Sequence, residues 1–292
     1  LHGGWRPDYE DRFGMVSLWD VQDVTNMHRL FHDTQNFNAD LSLWDVSNVT
    51  DMSGMFGSSP AFNADLKAWD VSRAENMHRM FMDAAVFNSD LSGWKVDGVN
   101  DMERMFCGAA AFEGTGLNNW NVSNVTDMNS MFDSCTSFNA NLSKWKFGVV
   151  SMQAMFYDAS AFQGTGLSDW NVENVTEVDS MFAGATAFNQ NLSKWQVGSF
   201  VDMTRMFAGA TAFQGEGLDG WDVSNVKYMS YMFADATAFN QNLFKWQVEN
   251  VIGMRDMFSG ATAFEGTGLE NWKVENVTEV RAMFKDARVF NA

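Results

Sequence analysis

Tryptophan recurs at positions 19, 44, 69, 94, 120, 145, 170, 195, 221, 246 and 272, always 25 or 26 residues after the one before. A fixed period in this range is the signature of a solenoid. One repeat is a single supersecondary unit that cannot bury its own apolar face, and stacking against the next copy completes the core. Aligned on Trp, the copies read approximately L-S-x-W-x-V-x-N-V-T-D-M-x-x-M-F-x-x-A-x-x-F-N. That frame holds 19 of the 21 Met, 22 of the 26 Phe and 11 of the 12 Trp, so the abundance of bulky side chains is a product of the repeat.

Within one copy, Leu41, Trp44 and Val46 have the spacing at which alternate side chains of a strand point inward, which predicts a strand over 43–47. Thr50 precedes Asp51, Met52, Met55 and Phe56, whose i, i+3, i+4 pattern predicts a short helix over about 50–58 with Thr50 as its N-cap. An acidic residue follows that cap at Asp51, Asp127, Glu177 and Glu279, where it would meet the positive end of the helix dipole. Ser59, Ala84, Ala109, Ala159, Ala185 and Ala210 form a small column that lets the chain pass close to its neighbour before Phe62 and its equivalents return inward. The expected fold is therefore an α/β solenoid, a coil of about eleven rungs with one parallel β-sheet and short helices opposite. Rungs about 4.8 Å apart would extend on the order of 50 Å.

A second period is superimposed on the first. Glu113-Gly-Thr-Gly-Leu117, Gln163-Gly-Thr-Gly-Leu167, Gln214-Gly-Glu-Gly-Leu218 and Glu265-Gly-Thr-Gly-Leu269 occupy every other copy, which predicts a glycine-dependent bulged turn along one edge. The Trp145 copy reaches Met152 one residue early, so a local distortion is expected near 147–150. The domain reading is a partial N-terminal cap or linker over 1–17 and a single solenoid over 18–292, whose last repeat is truncated.

The string Trp44-Asp-Val-Ser-Asn-Val-Thr-Asp-Met-Ser-Gly-Met-Phe56 closely resembles the BspA-type leucine-rich repeat, the roughly 25-residue surface-protein repeat of the DUF285 class, and the resemblance extends over about 18–292. It implies a right-handed leucine-rich-repeat-like coil and a cell-surface, lipid-anchored or secreted protein implicated in adhesion. It does not imply an enzyme. Thr at the cap is replaced by Glu75, Val201, Lys227 and Ile252 in some copies, which places those caps outside the pattern.

The formal charge of −18 argues against sequence-independent binding to nucleic acid or an anionic bilayer, which needs clustered Lys and Arg. No apolar run reaches the roughly 18 residues of a membrane span. No non-repeated cluster of acid, base and nucleophile interrupts the pattern, so no cofactor is expected, with calcium as the exception to consider. Asp20, Asp45 and Asp70 follow Trp in three successive copies, and Asp40, Asp65 and Asp90 form a second file before it. Stacked carboxylates repel unless backbone amides or a cation offset them, so these files either satisfy turn amides or hold calcium. His28 and His32 stand four apart on the predicted helix but lack a third ligand and, like His2 and His78, read as surface histidines. Cys107 reads as a surface thiol and Cys135 as a buried small hydrophobe, with a disulfide between neighbouring rungs as the alternative.

The exposed columns beside Trp are the candidate ligand face: Leu43, Asp45 and Ser47, then Asp70 and Ser72, Asn119 and Asn121, Lys144 and Lys146, Asp169 and Asn171, Lys194 and Gln196, and Asp222. Short polar side chains at a regular pitch suit long protein or glycan ligands at a cell surface, and equally describe a solvated sheet. Glycosylation sequons occur at Asn48, Asn121, Asn124, Asn141, Asn174, Asn191 and Asn276. Asn-Val-Thr and Asn-Leu-Ser are also the repeat's own turn chemistry. The function expected is an extracellular macromolecule-binding or adhesion module. A structural subunit that self-associates end to end is the alternative, and an enzyme ranks last.

Overall fold

The computed structural model describes residues 15–291. The expected cap over 1–17 therefore lies largely outside the described residues; from Met15 onward the chain enters the first rung through a 3-10 turn at Val16–Leu18. The chain divides into two compact units between Gly148 and Val149, inside the segment where the shortened Trp145 copy predicts a distortion.

In the first unit, parallel bridges join Asn26, Asp51, Asn76, Asp101 and Asp127 in succession; in the second they join Ser151, Glu177, Asp202, Tyr228, Gly253 and Glu279. Partners are 25 or 26 residues apart, so within each unit a repeat winds one coil and pairs with the next copy.

The pairing runs along the segment predicted to be helical, and the helix over 50–58 does not form. Instead, the Met55 N–H donates to the Met52 carbonyl, Gly57 to Gly54 and Ser59 to Phe56, giving three overlapping turns. The intervening N–H groups of Met52, Gly54, Phe56 and Ser58 point along the stack and donate to the carbonyls of Asn76, His78, Met80 and Met82 at 2.9, 2.8, 2.9 and 2.6 Å. This geometry needs left-handed backbone at every fourth residue, as at Gly54 (φ 61°) and Ser58 (φ 55°). Non-glycine residues accept it as well, among them Arg79 (φ 54°) and Tyr231 (φ 59°), at a typical cost of about 1–2 kcal/mol each. Each ladder bond contributes on the order of 1 kcal/mol net, and to these four the same two copies add the bond from the Glu75 N–H to the Thr50 carbonyl at 2.8 Å.

Met52, Met55, Phe56 and Ser59 are all fully buried, so the helical spacing correctly named the inward side chains. Overlapping turns produce the same inward pattern as a helix. A helix, however, would spend its N–H groups within one copy and leave nothing to bond the next. The strand expected over 43–47 also forms no ladder: among the described residues, no bridge joins the Trp-x-Val segments. Trp120, for example, is extended (φ −67°, ψ 132°), but only between turns.

Thr50 consequently caps no helix; its hydroxyl donates to the Thr25 carbonyl of the preceding rung. The acidic column does not meet a helix dipole either. Asp51, Asp101 and Asp127 each accept the amide two residues on, closing an Asx turn.

The indole adds a bond between rungs to its packing in the core. Trp44, Trp69 and Trp94 donate Nε1–H to the carbonyls of Val16, Leu41 and Leu66 in the preceding rung at 2.9, 3.0 and 2.9 Å. Trp195 and Trp246 do the same to Leu167 and Leu218 at 2.8 Å. Each bond ties two rungs together, on a carbonyl that also accepts the Trp amide of its own turn. Beside this column the two phenyl rings of a rung lie nearly parallel, with Phe56 and Phe62 centroids 3.8 Å apart, and each stacks on the next copy, with Phe56 and Phe81 at 5.6 Å. The small column is fully buried, and where Ser59 or Cys135 replaces Ala the hydroxyl or thiol donates to the preceding Phe carbonyl.

The paired glycines form the predicted bulged edge. Gly217 has φ 91° and precedes a 3-10 turn over Leu218–Gly220; a Cβ there would overlap the Ser193 backbone nitrogen. Gly215 lies under the Phe239 ring of the following rung, where a Cβ would approach to 2.5 Å. One glycine admits the rung behind and the other the rung ahead.

Candidate ligand-binding face

The turns flanking Trp place one side chain before it and one after it into solvent in every rung, because Trp itself and the following Val point inward. In the first unit this exposes Leu43, Asp45, Asp70, Ser72, Asn119, Asn121, Lys144 and Lys146, with Ser47 half-buried; in the second, Asp169, Asn171, Lys194, Gln196 and Asp222 are exposed. The structure thus brings the predicted ligand residues of each unit onto one face.

These side chains bond from rung to rung. Lys144 Nζ donates to Asn119 Oδ1 at 2.9 Å, Lys194 reaches Asp169 at 2.6 Å, and Asn121 Nδ2 donates to Asp97 at 2.7 Å. Of the Lys and Asp that alternate along this face, Lys194 and Asp169 are partners. Exposed pairs of this kind add little stability, typically below about 1 kcal/mol; the backbone ladder sets the register.

Both aspartate files are engaged by backbone. Asp20, Asp45 and Asp70 accept the amides of Gln22, Ser47 and Ser72; Asp40, Asp65 and Asp90 accept those of Ser42, Lys67 and Ser92. Asn141, Asn191 and Asn242 make the same turn. Among the described residues, no three His, Cys, Asp or Glu side chains converge to hold a metal ion. Because each of these carboxylates already accepts a turn amide, EDTA is expected to leave the thermal midpoint unchanged; a fall on chelation would place calcium in the files.

Bonds from the serine two residues on hold four carboxyls below the usual aspartate range: first the hydroxyl and then the amide of Ser47, Ser72 and Ser224 on Asp45, Asp70 and Asp222, and first the amide and then the hydroxyl of Ser42 on Asp40. A bond from Lys67 at 2.7 Å, followed by the Ser92 amide, takes Asp90 down to about 2. A depressed folded-state value stabilises the fold above the unfolded value near pH 4, and that stability is lost as pH falls through the folded value. The melting temperature should therefore decline between about pH 4 and pH 2. Replacing Asp40, Asp45, Asp70 and Asp90 by Asn should flatten that decline, since Asn keeps the turn without titrating. Asp158 and Asp179, raised by burial, act in the opposite sense and offset part of the decline.

Most sequon asparagines have structural work. Asn48, Asn124 and Asn276 donate Nδ2–H to the carbonyls of Gln22, Asp97 and Glu249 in the preceding rung. Asn121, Asn141 and Asn191 close turns, and Asn174 is exposed.

The cysteines form no disulfide. Cys107 is half-buried where a surface thiol was expected, and burial, reinforced by Asp133 and Asp83, pushes it up to about 12. Cys135 is buried as expected and is shifted the same way. At pH 8 the Cys107 thiolate fraction should be roughly a thousandfold below that of a free cysteine, so iodoacetamide should label the folded chain only after denaturation. Rapid labelling of the native protein would contradict this burial.

His28 is exposed and its Nδ1 lies 2.6 Å from Ser53 Oγ, whereas His32 is half-buried and lowered chiefly by burial, then by Arg29. The sequence reading missed the opposite, turn-ladder face. There Arg205 and Arg255 flank the Tyr231 ring at 5.1 and 5.6 Å. Spacing could have found it only with the ladder register known, since Arg205 and Tyr231 are 26 residues apart.

Comparison with curated proteins finds no match. Similar solved structures include a leucine-rich-repeat protein of Leptospira interrogans (8% identity, TM-score 0.30, covering 81% of this chain and 67% of that protein). The functional domain of InlJ from Listeria monocytogenes, which includes a cysteine ladder, matches at 7% identity and TM-score 0.25 over 85% of this chain and 65% of its own. TLR13 in complex with ssRNA13 matches at 10% and 0.22, over 85% and 46%. These likenesses are distant, and the chain spans less than two thirds of the latter two. Three successive sequence matches to the family described as "Mycoplasma protein of unknown function, DUF285", over residues 8–115, 109–219 and 202–292, take in nearly the whole length, and the chain belongs to that family of BspA-like repeats.

Proposed function

We propose that the chain is a non-catalytic binding module of an extracellular or cell-surface protein, engaging protein or glycan ligands through the Trp-side face. The observation that carries this reading is the face's regularity. Exposed positions recur once per rung, set there by the backbone ladder, and some of their side chains bond from rung to rung, as Lys194 does to Asp169. A ligand with its own repeat can make many weak, equivalent contacts to such a surface, and their sum becomes useful affinity through multivalency. No helix among the described residues is long and apolar enough to cross a membrane.

The reading is tested by immobilising the chain and probing it with a panel of matrix proteins and glycans, beside variants altered on one face only. Loss of binding on replacing Asp169, Lys194 and Gln196, but not on replacing Arg205 and Arg255, is the expected result. The reverse pattern would move the binding surface to the turn ladder. Concentration-dependent growth in light-scattering mass would favour the filament subunit instead.

A further inference from the structure

The position two residues before Trp faces solvent and is polar in the other copies, as at Ser193 and Asp219 in the two preceding rungs; in one copy it is Phe244, 56% exposed. Nothing in the rung requires a ring there, since Ser occupies the same turn elsewhere. Its Asx-turn bond to Asn242 is likewise the one Ser193 makes to Asn191. Phe244 forms one wall of an open pocket of about 560 Å³, within the usual range for small-ligand sites. The rest of the lining is Trp246 and Val248, both themselves buried, and the polar Lys245, Gln247, Glu249, Asn271 and Lys273. Lys273 and Glu249 are 3.3 Å apart, and Lys245 reaches back to Asp219 at 3.8 Å, so the cations are matched by carboxylates and the pocket carries no strong field of one sign.

We propose that this pocket is a saccharide subsite that binds one pyranose ring of a neutral glycan. A pyranose has an apolar C–H face that packs on a flat aromatic ring, and an edge of adjacent hydroxyls, each both donor and acceptor. Phe244 offers the first surface. The amides of Gln247 and Asn271 each offer a paired donor and acceptor for the second, with Glu249 as a further acceptor. An acidic or basic peptide would gain nothing from balanced charge, and a purely apolar ligand would strand the amides. The inference rests on the Trp-side face being the binding face and names the ligand class for one place on it.

The test is calorimetric titration of the full chain with cellotriose, maltotriose and triacetylchitotriose, on the wild type and on Phe244→Ser and Gln247→Ala. At least one trisaccharide should bind, and Phe244→Ser should weaken it tenfold or more without moving the thermal midpoint, because Ser is a regular resident of this column. Equal binding by Phe244→Ser, or no binding of any of the three to the wild type, would overturn the subsite. A peptide ligand that Phe244→Ser abolishes would overturn it in favour of a protein partner. Where the subsite fails but binding still depends on Asp169, Lys194 and Gln196, the broader reading of the face stands; where both fail, so does that reading.

Discussion

Trp195→Ala should destabilise the second unit by about 3–5 kcal/mol, the range for deleting a buried aromatic side chain. Trp195 is 3% exposed, its indole is parallel to that of Trp221 at 6.3 Å, and the Phe182 ring lies at 6.2 Å. Truncation would open a cavity between two rungs that neighbouring aromatic rings, themselves stacked, cannot relax to fill. The lost bond to Leu167 is the smaller part. That carbonyl also accepts the Trp170 amide and is not orphaned. Trp195→Phe, which keeps most of the volume and loses the indole N–H, should therefore cost only about 1–2 kcal/mol. Because rungs contact only their neighbours, the alanine variant should also broaden or split the unfolding transition. Urea denaturation followed by circular dichroism reads both effects; a loss below about 1 kcal/mol would mean that the indole column is not the core.

The glycine edge gives the second large effect, with an internal control. Gly217→Ala places a Cβ against the Ser193 backbone in a left-handed conformation (φ 91°). Left-handed strain of about 1–2 kcal/mol and overpacking of about 1–3 kcal/mol together predict a loss of roughly 2–5 kcal/mol. Gly220→Ala, three residues away in the same turn, meets nothing within 4 Å and should be neutral or slightly stabilising. Thermal unfolding of the two variants side by side is the measurement. Equal effects would show that the edge is not packed rung on rung.

The period of Trp made the solenoid legible, and the spacing of Met52, Met55, Phe56 and Ser59 made its core legible, because both record which side chains face inward. The backbone path was not legible, for a physical reason: a helix and a run of overlapping turns bury the same positions. They differ in where the N–H groups go, which side-chain identity barely reports. The left-handed positions do leave a trace. Gly54, Asp83, Gly108, Gly184 and Gly209 are residue types that tolerate positive φ, though Ser58, Arg79 and Arg104 in the same role obscure it. On the Trp-side face, Lys194 and Asp169 could be placed on one surface from sequence, but their pairing required the rung register. Phe244 breaks the polar column visibly in the sequence; its meaning emerged only with the pocket beside it.

The central claim is that one repeat winds one turn and bonds to the next along the turn segment. Cysteine pairs introduced into a Cys107→Ala, Cys135→Ala background test it directly, since Cα atoms of paired residues in adjacent rungs are about 4.8 Å apart, within disulfide range, and those two rungs apart are about 10 Å apart. Asp202→Cys with Tyr228→Cys, which replace bridge partners, should cross-link under mild oxidation, and Glu177→Cys with Tyr228→Cys should not. Cross-linking of the second pair as readily as the first, or of neither, would contradict the coil.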